Sequence, residues 1–252
     1  MVYLKNLSAM RTMLEGGKLL SDTLELMKNS VRIGITTKEL NKIAQRYIIS
    51  NGAQPSFLGY GGFPAALCIS VNEVVIHGIP SDQVLQDGDI ISIDAGVYYK
   101  GYHTDAARTF AVGTVSDEKK QLMRVTEQSF FEGVKFARTG FRISDISAAV
   151  ERYIHPFGYG IVRSFTGHGV GKELHESPEV PNYGKPGRGL RITNGLVIAI
   201  EPMVTLGGDA VKVLDDDWTT VTCDNSCAAH YENTVCIVDG EPVIITLPDA
   251  AI

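Results

Sequence analysis

The stretch from Ile93 to Arg108, IDAGVYYKGYHTDAAR, constrains the fold of this chain more than any other. An apolar run, Ile90-Ile91-Ser92-Ile93, ends in Asp94; a short turn follows, and a second run carries Asp105. Paired as two strands around Lys100-Gly101, the chain sets Gly96 opposite Asp105. Side chains alternate along a strand, so Asp94, two residues from Gly96, shares its face. The two acids then form a diagonal pair within side-chain reach. Neighbouring carboxylates repel, and they must share a proton, meet a cation or lie in open water.

The rest of the chain has to decide among these. Its 252 residues, 44% of them hydrophobic, can bury one large domain or two small ones. A net charge of −6 gives no sign of a nucleic-acid surface or a polybasic membrane surface. The amphipathic N-terminus, MVYLKNLSAMRTMLEGGKLL, lacks the continuous apolar core of a signal peptide, and no stretch approaches a membrane span. Cys68 lies far in sequence from Cys223, Cys227 and Cys236; free thiols and a reducing cytoplasm are the expectation.

Leu7, Met10, Leu14, Gly17, Leu20, Leu24, Met27 and Val31 recur at steps of three and four, which predicts a first helix ended by Gly34. Thr36-Thr37-Lys38-Glu39 has the form of a capping box opening a second helix that stops at Asn51-Gly52. A glycine- and aromatic-rich loop, residues 55–64, precedes a strand from Ala66 to Val71, and the hairpin follows. The second half repeats the plan. Ser116 caps a third helix to about Thr139, and Ile143 to Phe157 form a fourth, closed by Gly158. Thr166-Gly167-His168-Gly169 leads to a buried strand ending in Glu201. A last strand, Ala228 to Val238, carries Glu232, with His230 and Thr234 on its face. The parallel is closest between DGDIISIDAGV at 87–97 and TNGLVIAIEPMV at 193–204. The expectation is one pseudo-twofold α+β domain over 1–252, in halves of about 1–113 and 114–252, with its site where they meet.

Each half thus supplies an acid pair, Asp94 with Asp105 and Glu201 with Glu232. Four such charges converging in a partly buried place need cations. They can neutralise two divalent ions, with His168 as a fifth ligand, and an oxygen-rich set with one imidazole suits Mn²⁺, Fe²⁺, Co²⁺ or Zn²⁺. Two ions roughly 3.5–4 Å apart clamp an attacking water and a scissile carbonyl, which is hydrolysis chemistry. Any one of these acids taken alone reads as a turn or cap residue, and His168 alone as a loop histidine bonded to backbone. Repetition in both halves moves the balance toward a metal site.

The segments CISVNEVVIHGIP at 68–80, IDAGVYYKGYHTDAARTF at 93–110, TGHGVGKELHESP at 166–178, AIEPMV at 199–204 and AAHYENTV at 228–235 resemble, in order and spacing, the signature blocks of type I methionine aminopeptidases. The resemblance covers essentially the whole chain. It implies the pita-bread (creatinase/aminopeptidase-like) fold, a pseudo-twofold α+β architecture with a curved antiparallel sheet covered by two helix pairs. It also implies removal of the initiator methionine from nascent proteins when the second residue is small. By the same resemblance Asp94, Asp105, His168, Glu201 and Glu232 are the ligands of two divalent ions, with Asp105 and Glu232 bridging. His77 would contact the substrate amide, His175 would hydrogen-bond the substrate carbonyl and its oxyanion, and Glu201 would pass a proton to the leaving amine. Tyr60, Phe63, Cys68 and Trp218 would line an apolar methionine pocket beside His77 and His175. The family places a monovalent cation on backbone oxygens near Asn72, Val74 and Ala228. A monomer with a ribosomal association is the matching expectation.

The sequence departs from the family pattern where Asn233 follows the last ligand in place of histidine. On a strand Asn233 faces away from Glu232, so ligation survives, while support of that ligand is in question. Phe57 and Leu174 also sit where relatives vary. An Xaa-Pro aminopeptidase or prolidase is the rival enzyme, and a non-catalytic peptide-binding protein of the same fold is the rival from another class.

Overall fold

The computed structural model describes residues 2–252. Four helices form where the apolar stripes place them. Helix α1 spans Leu7–Ser30, with the Asn6 side chain accepting from the Ala9 N–H as N-cap. Helix α2 spans Thr37–Ser50 and opens on the expected capping box, Thr36 and Glu39 each accepting from the other's backbone. Helix α3 spans Asp117–Val134, capped by Ser116. Helix α4 spans Ile143–Ile154 and is followed by a 3₁₀ turn, His155–Phe157, and left-handed Gly158.

Three ends differ from expectation. Helix α1 stops at Ser30, four residues before Gly34, because Val31 turns extended. Helix α3 stops at Val134 rather than near Thr139. There the N–H groups of Phe136 and Ala137 reach back only three residues, to Gly133 and Val134, and the chain turns so that Phe136 packs edge-on against Phe141. The tight turn at Pro156 ends the regular part of α4 early, since proline brings no N–H to the helix ladder.

All paired strands run antiparallel, in four hydrogen-bonded groups. In the first half Ile90–Tyr99 and Tyr102–Ala111 form an unbroken hairpin whose register sets Gly96 opposite Asp105, as the alternation required. Leu67–Val71 and Gln54–Pro55 share the other edge of Ile90–Tyr99, and Cys68 pairs with Asp94. Gly96 is glycine for a steric reason: a Cβ there would collide with Ser56 and Phe57. In the second half Val197–Ile200 lies between Asn233–Val238 and Gly167–Gly169, with Glu176–Val180 and Glu241–Ile244 on the outside. The expected single strand from Ala228 to Val238 is in fact two. Ala228–His230 pairs with Met203–Thr205, and Asn233–Val238 pairs with Val197–Ile200. The break at Tyr231-Glu232 marks the crossing from one group of strands to the next.

That break is also where the halves join. Glu232 and Ala107 exchange backbone hydrogen bonds of 3.0 and 3.3 Å. The Thr234 hydroxyl donates to the Asp105 carbonyl and accepts from the Asp105 N–H. The Thr109 hydroxyl does the same for His230. Helices α1 and α2 cover the first-half strands through Leu20, Leu24, Met27, Leu40 and Ile48. Helices α3 and α4 cover the second half through Phe130, Ile143, Ile146 and Val150. No helix among the described residues is long and apolar enough to cross a membrane.

Candidate metal centre

The seam between the halves brings the four acids together. Asp94 leaves the hairpin on the same face as Asp105, and Glu201 follows the buried strand Val197–Ile200, where Pro202 ends the ladder. Glu232 occupies the strand break. All four are buried, and with His168 they line one cavity of about 490 Å³. The Nε2 of His168 lies 3.6 Å from Glu201 Oε1 and 3.8 Å from Asp105 Oδ2. Its Nδ1–H donates to the Gly169 carbonyl at 2.8 Å, which fixes the tautomer and leaves the Nε2 lone pair facing the acids. Two triads have ligand atoms within 4.8 Å of one another: Asp105, His168 and Glu232, and then Glu201, His230 and Glu232. Glu232 belongs to both.

The electrostatics of the cluster call for positive charge. Burial, then the charges of Asp105 and Glu201, holds the Asp94 carboxyl well above the usual carboxylate range. Burial pushes Asp105 up to about 7. Burial and the neighbouring acids raise Glu201 and Glu232 well above normal. Burial lowers His168 and His230 to about 3, so both imidazoles stay neutral and keep a lone pair to give. Asp94 Oδ1, Asp105 Oδ1, Glu232 Oε1 and His230 Nε2 are buried without a hydrogen-bond partner. Protein interiors satisfy nearly all such atoms, and a knot of orphans in one place marks room for a ligand. Carboxylate oxygens with neutral imidazole fit borderline divalent cations.

His77 holds a left-handed backbone conformation, φ +60°, uncommon for a residue with a side chain. Its ring packs edge-on against Phe165 and Trp218. His175 sits at the mouth of the cavity, 4.3 Å from the His168 ring, and its Nδ1 shares a 2.8 Å hydrogen bond with the Tyr60 hydroxyl. Beside the acids an apolar wall is made by Phe57, Phe63, Ala65, Cys68 and Leu174, with Trp218 edge-on against Phe63. Every residue expected at the metal site or in the pocket lines this one cavity. Of the residues expected near a monovalent cation, Asn72 and Ala228 meet through an N–H to carbonyl bond of 2.8 Å.

Sequence reasoning gave His230 no role. It is fully buried, with Nε2 3.8 Å from Glu201 Oε2 and 3.9 Å from Glu232 Oε2. The signal was its position two before Glu232, although the intervening strand break hides the relation. Asn233 points away from the acids, as expected. Its Oδ1 accepts from Arg108 at 2.6 Å and from the Thr246 hydroxyl at 2.9 Å. Arg108 in turn donates to the Glu232 carbonyl and lies over the Tyr231 ring. A larger hollow, about 710 Å³, opens behind the seam between α1 and α3, but it gathers no set of ligand groups.

The comparisons agree with this chemistry. The family model described as metallopeptidase family M24 matches residues 11–245. The chain belongs to metallopeptidase family M24. It is 53% identical over 247 residues to a methionine aminopeptidase of Clostridium perfringens, covering 98% of this chain and 99% of that one. The crystal structure of methionine aminopeptidase from Rickettsia prowazekii superposes with a TM-score of 0.96 at 35% identity, covering 98% of this chain and all of that one. A prolidase from Pyrococcus furiosus shares the fold, with a TM-score of 0.78 at 22% identity, and this chain spans 65% of its length. The M24 assignment makes the chain a metallopeptidase with the pita-bread fold, and the acids at the seam are its candidate metal ligands.

Proposed function

We propose that this M24 peptidase removes N-terminal methionine from peptides and nascent proteins whose second residue is small, in the cytoplasm and as a monomer. The observation that carries the reading is one cavity holding four buried acids and a neutral imidazole on one side and a closed apolar wall on the other. Asp94, Asp105, His168, Glu201 and Glu232 would hold two divalent ions, Co²⁺, Mn²⁺, Fe²⁺ or Zn²⁺. A monovalent cation near Asn72 is a further part of the proposal. Divalent ions, when bound, supply a Lewis acid for the scissile carbonyl and acidify the attacking water.

The protein's own groups do the rest. Phe63, Cys68, Leu174 and Trp218 take the unbranched thioether side chain, which needs a narrow apolar slot. Fit of this kind discriminates modestly, about 1–3 kcal/mol per methylene, so exclusion of a bulky second residue is steric. His175, at the cavity mouth, donates to the substrate carbonyl and more strongly to the oxyanion it becomes, which lowers the barrier. His77 holds the substrate amide from the other wall. Glu201 takes the proton of the attacking water and gives it to the leaving amine.

The test is hydrolysis of Met-Ala-Ser against Ala-Pro peptides, with and without added Mn²⁺ or Co²⁺. Release of methionine from Met-Ala-Ser is expected. Cleavage of Ala-Pro alone would assign the prolidase-type reaction instead, and no release with any metal would favour a peptide-binding role. His175→Ala is expected to keep its metal and lose most turnover.

A further inference from the structure

The loop that carries His175 is clasped by a residue far away in sequence. Residues 171–175 form no regular structure between the short strands Gly167–Gly169 and Glu176–Val180. At its start the Gly171 carbonyl accepts from the His103 N–H of the first half at 2.7 Å. At its end Glu176, the residue after His175, turns its carboxylate under the loop. There Oε1 accepts from the Glu173 N–H and Oε2 meets the Lys5 ammonium at 2.5 Å. Lys5 also donates to the Tyr3 carbonyl, its backbone N–H binds the Gly195 carbonyl at 2.7 Å, and Val2 bridges to Ser177. The N-terminal segment is therefore strapped across the back of the loop.

Among the described residues, Lys5–Glu176 is the one lysine or arginine ion pair with both side chains buried, at 6% and 5% exposure. In every other such pair both partners are at least 28% exposed. Gly171 fits here because a Cβ would strike the Lys5 stem and the Glu176 carboxylate. Burying two charges costs desolvation that their attraction only offsets, so such a pair is poor evidence for stability. What it fixes well is geometry, because either charge left unpaired is strongly unfavourable and few arrangements satisfy both.

We infer that Lys5 is a positioning residue: its buried ion pair with Glu176 holds the loop so that the neighbouring His175 presents its ring to the substrate carbonyl. The inference rests on the role of His175 proposed above. Tyr60 restrains the same ring from the cavity side through Nδ1, and the clasp restrains it from the backbone side. The N-terminal segment, outside both helix pairs, thereby becomes part of the active site.

The experiment compares wild type, Lys5→Met, the neutral double variant Lys5→Met/Glu176→Gln, His175→Ala, and the triple combination. Met-Ala-Ser turnover, metal content and melting temperature are read on each. Lys5→Met leaves a buried carboxylate unpaired and can fail to fold, whereas the double variant leaves no charge behind and carries the test. The double variant is expected to melt near wild type and keep its metal. Its kcat should fall on the order of 10- to 100-fold, as a misplacement of about 1 Å does, with KM within about twofold. In the His175→Ala background the same two changes should cost nothing further. A double variant with wild-type kcat, or one whose loss adds in full to that of His175→Ala, overturns the positioning role and leaves the His175 assignment standing. Undiminished turnover in His175→Ala overturns that assignment and this inference with it.

Discussion

Asp94 and Asp105 stand on an unbroken hairpin of two ten-residue strands, whereas Glu201 and Glu232 stand where strands stop. The first pair is aimed by register alone: Gly96 opposite Asp105 leaves no freedom about which face the acids share. The second pair is aimed by interruptions, Pro202 after Glu201 and the crossing at Tyr231-Glu232. Extra groups hold it, with His168 and His230 in range of Glu201 and Arg108 on the Glu232 carbonyl. One half supplies the unbroken hairpin and most of the apolar wall, and the other supplies the imidazoles nearest the acids, His168 and His230. The pseudo-twofold plan repeats where charge goes and not how it is held.

Four expected outcomes bear on this contrast. Removing one acid from each half, Asp105→Ala and Glu232→Ala, should abolish metal binding equally. The loss should exceed the roughly 10–100-fold that removal of a ligand's supporting partner costs. If one variant keeps wild-type metal by calorimetry, the halves do not share the centre. His230→Ala should weaken metal binding by about 10–100-fold, since this imidazole supports both acids of the second half. An unchanged affinity would leave His230 a bystander.

The hairpin can be tested without metal. Gly96→Ala drives a Cβ into Ser56 and Phe57 and should destabilise the chelator-treated protein by about 1–3 kcal/mol in urea unfolding. Wild-type stability would mean that the hairpin yields more than its register suggests.

The smallest effect is the pH dependence of the chelated protein. An acid whose folded pKa is raised stabilises the fold fully below its unfolded value, and that contribution fades as pH rises through the folded pKa. Asp105 moves from 3.8 to about 7, and Asp94, Glu201 and Glu232 are raised well above normal. The buried histidines act oppositely. His77 and His103 fall from 6.5 to about 4, and His168 and His230 to about 3, so they cost stability below pH 6.5 and nothing above it. The two sets offset each other between about pH 4 and 6.5, and beyond that only the acids remain. The chelated protein's melting temperature should therefore fall as pH rises above 6.5, and that of the metal-loaded protein should not. Parallel curves would contradict the electrostatic reading of the seam.

The sequence made the local features legible. Alternation and the Lys100-Gly101 turn set the hairpin register, Thr36 and Glu39 gave the capping box, and the repeated acid after an apolar run gave the two-half plan. Long-range packing hid the rest. No proline or glycine marks the chain at Tyr231, so the strand break had no local signature, and the spacing of His230 to Glu232 gave no sign of its approach to Glu201. Nothing near Lys5 distinguishes it from an exposed lysine, because its partner lies 171 residues away.

The most direct measurement is anomalous diffraction from crystals grown with Mn²⁺. The expected result is density between the hairpin acids and the strand-end acids, touched by Asp94 or Asp105 from one half and by Glu201 or Glu232 from the other. Density on the acids of one half alone, or none at the seam, would contradict the account.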